Sequence, residues 1–293
     1  MMSNTVLHPA QQFIAPSSIE HGVPLKELMG SKLVVLIGQS LAEAVPGFDA
    51  RRFQTRAVRG LDKLELKERA LSIAQAMAEQ LPASFDELSP LLIKSLGPPL
   101  KQTEGNGLAP FFYLPHTQLI AVYGVSSFDS GMATNCEITK RFTAEFSLRP
   151  FLIEHRSKCL KVLKRWAKDD NVHVRRLVSE GTRPRLPWAM RLPEFQADPN
   201  LSLPLLEMLK DDPELYVRRS VANHLGDIAK DHLETALDVC EAWLQELKPS
   251  TDTAVADNCR WLVRHAVRHP AKKGHARAIK IRQAATLVKK RKG

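Results

Sequence analysis

A short pattern that returns along the chain constrains this sequence more than any other feature. The stretch V-R-R-L-V-S-E (Val174 to Glu180) reappears 43 residues on as V-R-R-S-V-A-N (Val217 to Asn223), and each copy follows an Asp-Asp pair. Thirty-five residues upstream, R-F-T-A-E-F-S-L-R-P (Arg141 to Pro150) repeats R-L-V-S-E-G-T-R-P (Arg176 to Pro184) with one extra residue before the second Arg. V-R-H-A-V-R-H (Val263 to His269), 46 residues beyond the Val217 copy, is a weaker fourth copy. In the Val174 copy, Val174, Leu177 and Val178 fall at i, i+3 and i+4 and form the buried stripe of a short helix. Arg176 and Glu180, four apart, share a different face, and Gly181 and Pro184 stop the helix.

A helix this short cannot bury its stripe alone, whereas neighbours returning every 35 to 46 residues can stack on one another. The expected fold is therefore all-α, an α-solenoid (α-α superhelix) of HEAT-like repeats. Stacking sets equivalent positions side by side, so Arg141/Glu145, Arg176/Glu180, Arg219/Asn223 and His265/His269 are expected to line one surface, with carboxylates on the first two rungs only. The plain alternative for any rung is a helix-surface ion pair worth ~0.2–0.5 kcal/mol. Two consecutive rungs with the same pair, each followed by Arg-Pro, favour a shared task.

With 293 residues, 44% hydrophobic and 25% charged, the chain can form one extended solenoid or two domains. Residues 1–23 lack a basic n-region and a continuous apolar run, so they read as a mobile arm and not as a signal peptide. Leu33 to Ile37 is too short to span a bilayer, and no membrane partner is expected. Residues 24–270 form the repeat domain. Helices are expected from Pro24 to Val45, Arg51 to Arg59, Lys63 to Gln80 and Ser84 to Leu96, supplying curvature and core, with a loop over Gly97 to Pro110. The aromatics from Phe111 to Tyr123 read as core, and Met190 to Asn200 as a Pro-rich surface connection. Cys136, Cys159, Cys240 and Cys259 show no C-x-x-C spacing and read as reduced thiols of a cytoplasmic protein, without a zinc site. Residues 271–293 form a basic tail with nine Lys/Arg and no acid, which leaves the body near neutral out of a formal +10. Such a tail either attracts phosphates without regard to sequence or is a solvated end.

The segment after the Val174 helix places Arg183, Arg185 and Trp188 beside Glu180, a mixture of cations, carboxylate and aromatic plane that suits a nucleic-acid substrate. A fixed carboxylate can stabilise positive charge that develops on a reacting substrate and can orient an attacking water. Glu145 and Glu180 are the candidate carboxylates. Trp188 offers a π face worth about 0.5–2 kcal/mol to a cation. Arg176, with Arg141, Arg183, Arg185 and Arg219, is assigned to backbone phosphates. Asp227, four residues after Asn223, can cap, pair with Arg219 or face the substrate. The sequence has no Gly-rich phosphate loop, no iron-binding H-x-D in suitable context and no Cys/His cage, so neither cofactor nor metal is expected.

S-E-G-T-R-P-R-L-P-W (Ser179 to Trp188), followed by D-D-P-E-L-Y-V-R-R-S-V-A-N-H-L-G-D-I-A-K-D (Asp211 to Asp231), resembles the AlkC family of bacterial DNA alkylation repair proteins, related to the AlkD alkylpurine DNA glycosylases. The resemblance runs roughly from Lys26 to Trp261. It implies a HEAT-like repeat DNA glycosylase that excises cationic methylated bases such as 3-methyladenine, 3-methylcytosine and 1-methyladenine from double-stranded DNA in base excision repair. It also implies that Glu145, Glu180 and Trp188, with Arg176 and Asp227, belong to the active site or its DNA contacts. Related AlkD-type enzymes act without pulling the base into a pocket. Some members carry an immunoglobulin-like domain after the repeats, where this chain has its basic tail. The resulting expectation is a monomer acting on DNA in the cytoplasm and nucleoid. The alternative is a non-catalytic HEAT-like adaptor that binds DNA or protein.

Overall fold

The computed structural model describes residues 7–248 and 250–286. Among them secondary structure is helical throughout, with seventeen α-helices, a few 3-10 turns and no strand. The chain divides into two compact units, Met1–Arg156 and Ser157–Gly293.

The first unit contains α1 (Pro9–Gln12), α2 (Ser31–Ala44), α3 (Ala50–Ala57), α4 (Leu66–Ala78), α5 (Phe85–Lys94), α6 (Leu114–Tyr123), α7 (Phe128–Thr139) and α8 (Leu148–Glu154). Alternate helices stack, α4 on α6 and α5 on α7, around a core that includes Leu33, Ile37, Phe53, Ile73, Leu92 and Phe151. The expected mobile arm is anchored over its later part. His8 caps α1 by accepting the Ala10 N–H at 3.1 Å, Phe13 is buried against Phe112 with ring centroids 5.9 Å apart, and Pro16 O accepts the Leu108 N–H at 2.9 Å. Pro9 and Phe13 are the buried residues of this stretch. Residues 1–6 of the arm lie outside the described residues.

The second unit holds nearly all of α9 (Arg156–Trp166), then α10 (Val172–Gly181), α11 (Pro193–Ala197), α12 (Leu203–Leu209), α13 (Leu215–Ile228), α14 (Leu233–Gln245), α15 (Thr253–Ala266), α16 (Arg268–Lys272) and α17 (Ala276–Ala284). Here the repeat is explicit. Helix α10 stacks on α13, and α13 on α15, while α12 and α14 pack alongside as a second row. The expected stripe Val174, Leu177, Val178 is fully buried, as are Val217 and Val221 of the next copy. Asn171 caps α10 by accepting the His173 N–H at 2.9 Å, and α10 ends at Gly181, where Thr182 Oγ1 donates back to Val178 O at 2.7 Å.

Each Asp-Asp pair closes a turn in the same way. Asp169 Oδ1 accepts the Asn171 N–H at 2.8 Å, and Asp212 Oδ1 accepts the Glu214 N–H at 2.9 Å. The first Arg of each V-R-R then reaches back six residues, Arg175 Nη1 to Asp169 O at 2.9 Å and Arg218 Nη1 to Asp212 O at 2.5 Å. Arg175 also spans to the next repeat, where its Nε lies 2.6 Å and its Nη2 3.2 Å from the Asp212 carboxylate.

Two of the four expected rungs are not helical pairs. Arg141 and Glu145 sit in the turn between α7 and α8, and the Val263 copy straddles the end of α15 and the start of α16, so His269 belongs to a different helix from His265. Sequence spacing fixes a common face only inside one continuous helix. The region Met190 to Asn200 is partly ordered by α11, with Phe195 buried. The tail folds over its described part. Ala278 and Ile281 are buried, and Arg277 reaches Glu234, Asp238 and Glu241 of α14 at 2.6, 2.5 and 2.7 Å, so residue 271 lies within a helix and not at the start of a free end. Residues 287–293 of that tail lie outside the described residues.

All four cysteines are free thiols. Burial pushes the thiols of Cys159 and Cys240 up to about 12 and that of Cys259 up to about 11. Among the described residues no helix is long and apolar enough to cross a membrane.

The Arg175–Asp212 bridge leaves the Asp212 side chain only 4% exposed. Arg175→Met strands that carboxylate, and a loss of about 3 kcal/mol in unfolding free energy is expected by urea titration. Adding Asp212→Asn, which keeps the turn acceptor but removes the charge, is expected to recover most of the loss. No recovery in the double variant would mean that the guanidinium acts through packing alone.

Candidate nucleic-acid site

The site in the second unit is built on a buried carboxylate. Glu180, on the last turn of α10, has a side chain only 7% exposed. Its Oε1 takes Arg183 Nη1 at 2.6 Å and Arg176 Nη2 at 3.3 Å, while Ser220 Oγ of α13 donates to Oε2 at 2.6 Å. Burial by itself raises the pKa of a carboxyl group; here the two guanidinium charges and the Ser220 hydroxyl outweigh it and hold Glu180 below the usual carboxylate range.

Arg183 extends this network to the next helix. Its Nε donates to Asp227 Oδ2 at 2.8 Å, and Asp227 Oδ1 takes Lys230 Nζ at 2.7 Å. Burial opposes the charge on Arg183, yet Glu180 and Asp227 keep it firmly protonated. Two residues on, Arg185 forms a fork with Asp231, Nε at 2.7 Å and Nη2 at 2.6 Å. The segment leaving α10 is thus tied to α13 at Asp227 and again just past its end at Asp231. That double tie carries the chain into Trp188, the one non-glycine among the described residues with a left-handed backbone (φ 63°). The residue is 59% exposed. A bulky residue in this region is strained and persists only where its surroundings impose it.

His224, fully buried beside this network, donates from Nδ1 to Ser179 O at 3.0 Å, and its Nε2 has no protein partner. Burial and the neighbouring Arg183 charge push it down to about 4. Arg176 lies over the Tyr216 ring, 5.2 Å from its centroid, in addition to its Glu180 contact. Arg219 is exposed on α13. On the same helix, Asn223 Oδ1 accepts from His265 Nε2 at 3.1 Å and from Arg268 Nη2 at 3.0 Å.

The first unit holds the other candidate carboxylate. Glu145 is 9% exposed in the α7–α8 turn, and Thr143 Oγ1 donates to its Oε2 at 2.6 Å. Ser147 Oγ donates to Asn135 Oδ1 at 2.6 Å and pins the same turn. Arg141 does not face Glu145. It is buried, donating to Gly97 O and, at 2.7 Å, to Glu137 O, with the Glu137 carboxylate 3.2 Å away.

The structure therefore divides the arginines assigned to phosphates. Arg141, Arg183 and Arg185 are engaged by internal acceptors, because a buried or looped guanidinium with five donors satisfies them locally when acceptors are near. Arg176 is part-buried between Glu180 and the Tyr216 ring, and Arg219 is exposed on α13. Three roles are open to Asp227 by sequence, capping, pairing with Arg219 or facing the substrate; the observed contacts are instead with Arg183 and Lys230. Sequence reasoning missed Ser220, His224, Lys230 and Asp231. Asp231 was readable in principle: it follows Arg185 at 46 residues, as Asp227 follows Arg183 at 44, both close to the repeat period.

The stacked helical repeats thus carry a buried, arginine-compensated carboxylate at the end of α10 and, eight residues further on, an exposed Trp with a left-handed backbone. No protein-family model matches the chain. The solved structure of Pseudomonas fluorescens alkylpurine DNA glycosylase AlkC, bound to DNA containing an abasic site analog, is similar to it with 35% identity and a TM-score of 0.75, covering 90% of this chain and 69% of that one. The uncharacterized protein YhaZ of Bacillus subtilis (strain 168) is 33% identical over 258 residues, 88% of this chain and 67% of YhaZ. The chain belongs to the AlkC family.

The network sets the acid limb of stability. The folded His224 value, about 4, lies below the unfolded 6.5, so as pH falls below 6.5 the unfolded chain gains a proton that the folded imidazole refuses. Stability is then lost down to about pH 4, with His116 and His265 acting in the same direction. Glu180, held below its ordinary value, adds a second loss only at lower pH, as it protonates. His224→Gln is expected to make the pH 6.5-to-4 limb shallower by one proton, about 1.4 kcal/mol per pH unit. Urea unfolding across this range checks it, and an unchanged slope would mean that folded His224 carries a proton.

Proposed function

We propose that this chain is a DNA glycosylase that hydrolyses the N-glycosidic bond of cationic N-methylated bases, of the 3-methyladenine, 3-methylcytosine and 1-methyladenine class, in double-stranded DNA. The observation that carries the reading is Glu180, a buried carboxylate kept ionised by Arg176, Arg183 and Ser220 at the point where the chain turns out to Trp188. Membership of the AlkC family, and the alkylpurine DNA glycosylase activity named for the Pseudomonas fluorescens protein, support it.

In this reading the C1′–N bond breaks with its electron pair leaving on the base, which departs neutral because it was cationic. Positive charge develops on the deoxyribose. Glu180 stabilises that charge, as a preorganised group does where water is excluded. Water adds to C1′, and its proton passes to a carboxylate or to solvent. Glu145 is the second carboxylate assigned to this chemistry, and Trp188 offers its π face to the sugar or base. Arg176 and Arg219 take backbone phosphates. Arg176 has a further role: its 3.3 Å contact is the longer of the two at Glu180 Oε1, so a phosphate that draws it away leaves the carboxylate with more unscreened charge as DNA arrives. Arg183, Arg185 and Asp227 are positioning residues that hold Glu180 and the Trp188 segment. No step calls for a metal or cofactor.

The test is release of free base from methylated duplex DNA by the purified protein without added metal. Glu180→Gln and Glu145→Gln are each expected to lower the single-turnover rate about a hundredfold, near 3 kcal/mol. Full excision by both variants would remove these carboxylates from the chemistry. No release by the unaltered protein, with DNA binding intact, would leave a repeat adaptor in place of an enzyme.

A further inference from the structure

The end of the second unit carries a concavity that the chemistry above does not use. Helices α15, α16 and α17 enclose a groove of about 560 Å³ lined by Arg264, Arg268, His269, Lys272, Arg282 and Thr286, with apolar walls from Ala271 and Ile279 and no carboxylate. Single-sign charge over a partly apolar wall focuses the local field. The acids that neutralise this part of the chain lie elsewhere, on α14, where Glu234, Asp238 and Glu241 hold Arg277. Among the described residues Lys272 and Arg282 are exposed and form no ion pair.

The other cations are braced. Arg264 Nη1 donates to Arg282 O at 3.2 Å, which fixes its guanidinium against α17. Arg268 Nη1 donates to His265 O at 2.6 Å and its Nη2 to Asn223 Oδ1 at 3.0 Å. Through Asn223 the groove joins α13, the helix that bears Asp227 four residues on. Burial and then Arg268, Lys230, Lys272 and Lys273 depress His269. By the Arg268–Asn223 hydrogen bond the groove is thus tied to the helix that also bears Asp227.

We infer that the α15–α17 groove is a phosphate-binding track for the DNA backbone, in which Lys272 and Arg282 contact phosphates of the flanking duplex while Arg264 and Arg268 supply a fixed positive floor. The inference rests on the reading of this chain as a DNA-binding protein. It does not depend on base excision. A regular array of phosphates is the ligand that single-sign charge without carboxylates fits, and each phosphate neutralised releases counterions.

The experiment is fluorescence anisotropy of the full chain with unmodified duplex DNA over a range of salt, with anionic phospholipid vesicles as a parallel probe. For the Lys272→Gln/Arg282→Gln variant, a weaker association constant is expected, with the slope of log K against log salt reduced by about 0.9 per lost contact, nearly two in all. Lys272→Arg/Arg282→Lys is expected to keep the slope of the unaltered chain. Equal thermal melting of all three shows that the fold is kept, since both side chains are exposed. An unchanged slope and affinity in the Gln variant overturns the inference. So does unchanged DNA binding with loss of vesicle binding, which would make the groove a lipid-headgroup site. Because the DNA is unmodified, failure here leaves base release untouched, and failure of base release leaves this track standing.

Discussion

The second unit depends on a carboxylate that cannot be left alone. A glutamate side chain 7% exposed loses most of its hydration, and the cost of removing such a charge from water is several kcal/mol unless it is paired and hydrogen-bonded. Glu180 is supplied from three directions, by Arg176 on its own helix, by Arg183 on the segment that follows and by Ser220 on the next repeat. Because one of these partners belongs to α13, meeting the need of Glu180 also sets the register of α10 against α13. The Arg183–Asp227–Lys230 continuation ties the segment after α10 to the last turn of α13. Buried ion pairs are weak sources of net stability, but they penalise wrong arrangements heavily, and here the arrangement they enforce is that of the candidate site.

The repeat supplies the scaffold on which this is possible. In both well-kept copies an Asp side chain closes the turn two residues on, and an Arg six residues on clasps the carbonyl of that same Asp. The clasp fixes the first turn of the helix, so the apolar stripe that follows is delivered to the stack at a set angle. Arg175 adds a bridge to the following Asp212. The two arginines of each V-R-R thus differ in role: the first serves the turn, while the second is Arg176, which reaches Glu180, in one copy and Arg219, exposed on α13, in the other.

Much of this was legible in the sequence, and what was not has a physical cause. The α10 helix, its stop at Gly181 and the buried stripe of Val174, Leu177 and Val178 follow from periodicity and from the turn residues, which act locally. The all-helical repeat class follows from the returning pattern. The failures are all non-local. Spacing placed Arg141 and Glu145 on one helix face, but the chain leaves the helix at Thr139, and Arg141 finds Gly97, 44 residues back. Arg183 and Arg185 looked available to a ligand because their partners Asp227 and Asp231 lie one repeat further on, where only the 44- and 46-residue spacings hint at them. Positive residues are read as charge from sequence; their engagement is a property of the packed repeat. The anchored stretch around Phe13 was missed for the same reason, since its partner Phe112 lies far along the chain.

The state of the cysteines has a consequence for a protein proposed to work where methylating agents are present. Such agents attack soft nucleophiles, and the reactive form of a cysteine is its thiolate. Cys159, Cys240 and Cys259 are buried, with thiols pushed up to between about 11 and 12, so almost none is ionised near neutral pH. The packing that excludes water from these side chains also shields them from the electrophiles that damage DNA. Three of the four thiols are in this way held in the less reactive protonated form, and Cys136, only part-buried, is the one to which such an agent has readier access.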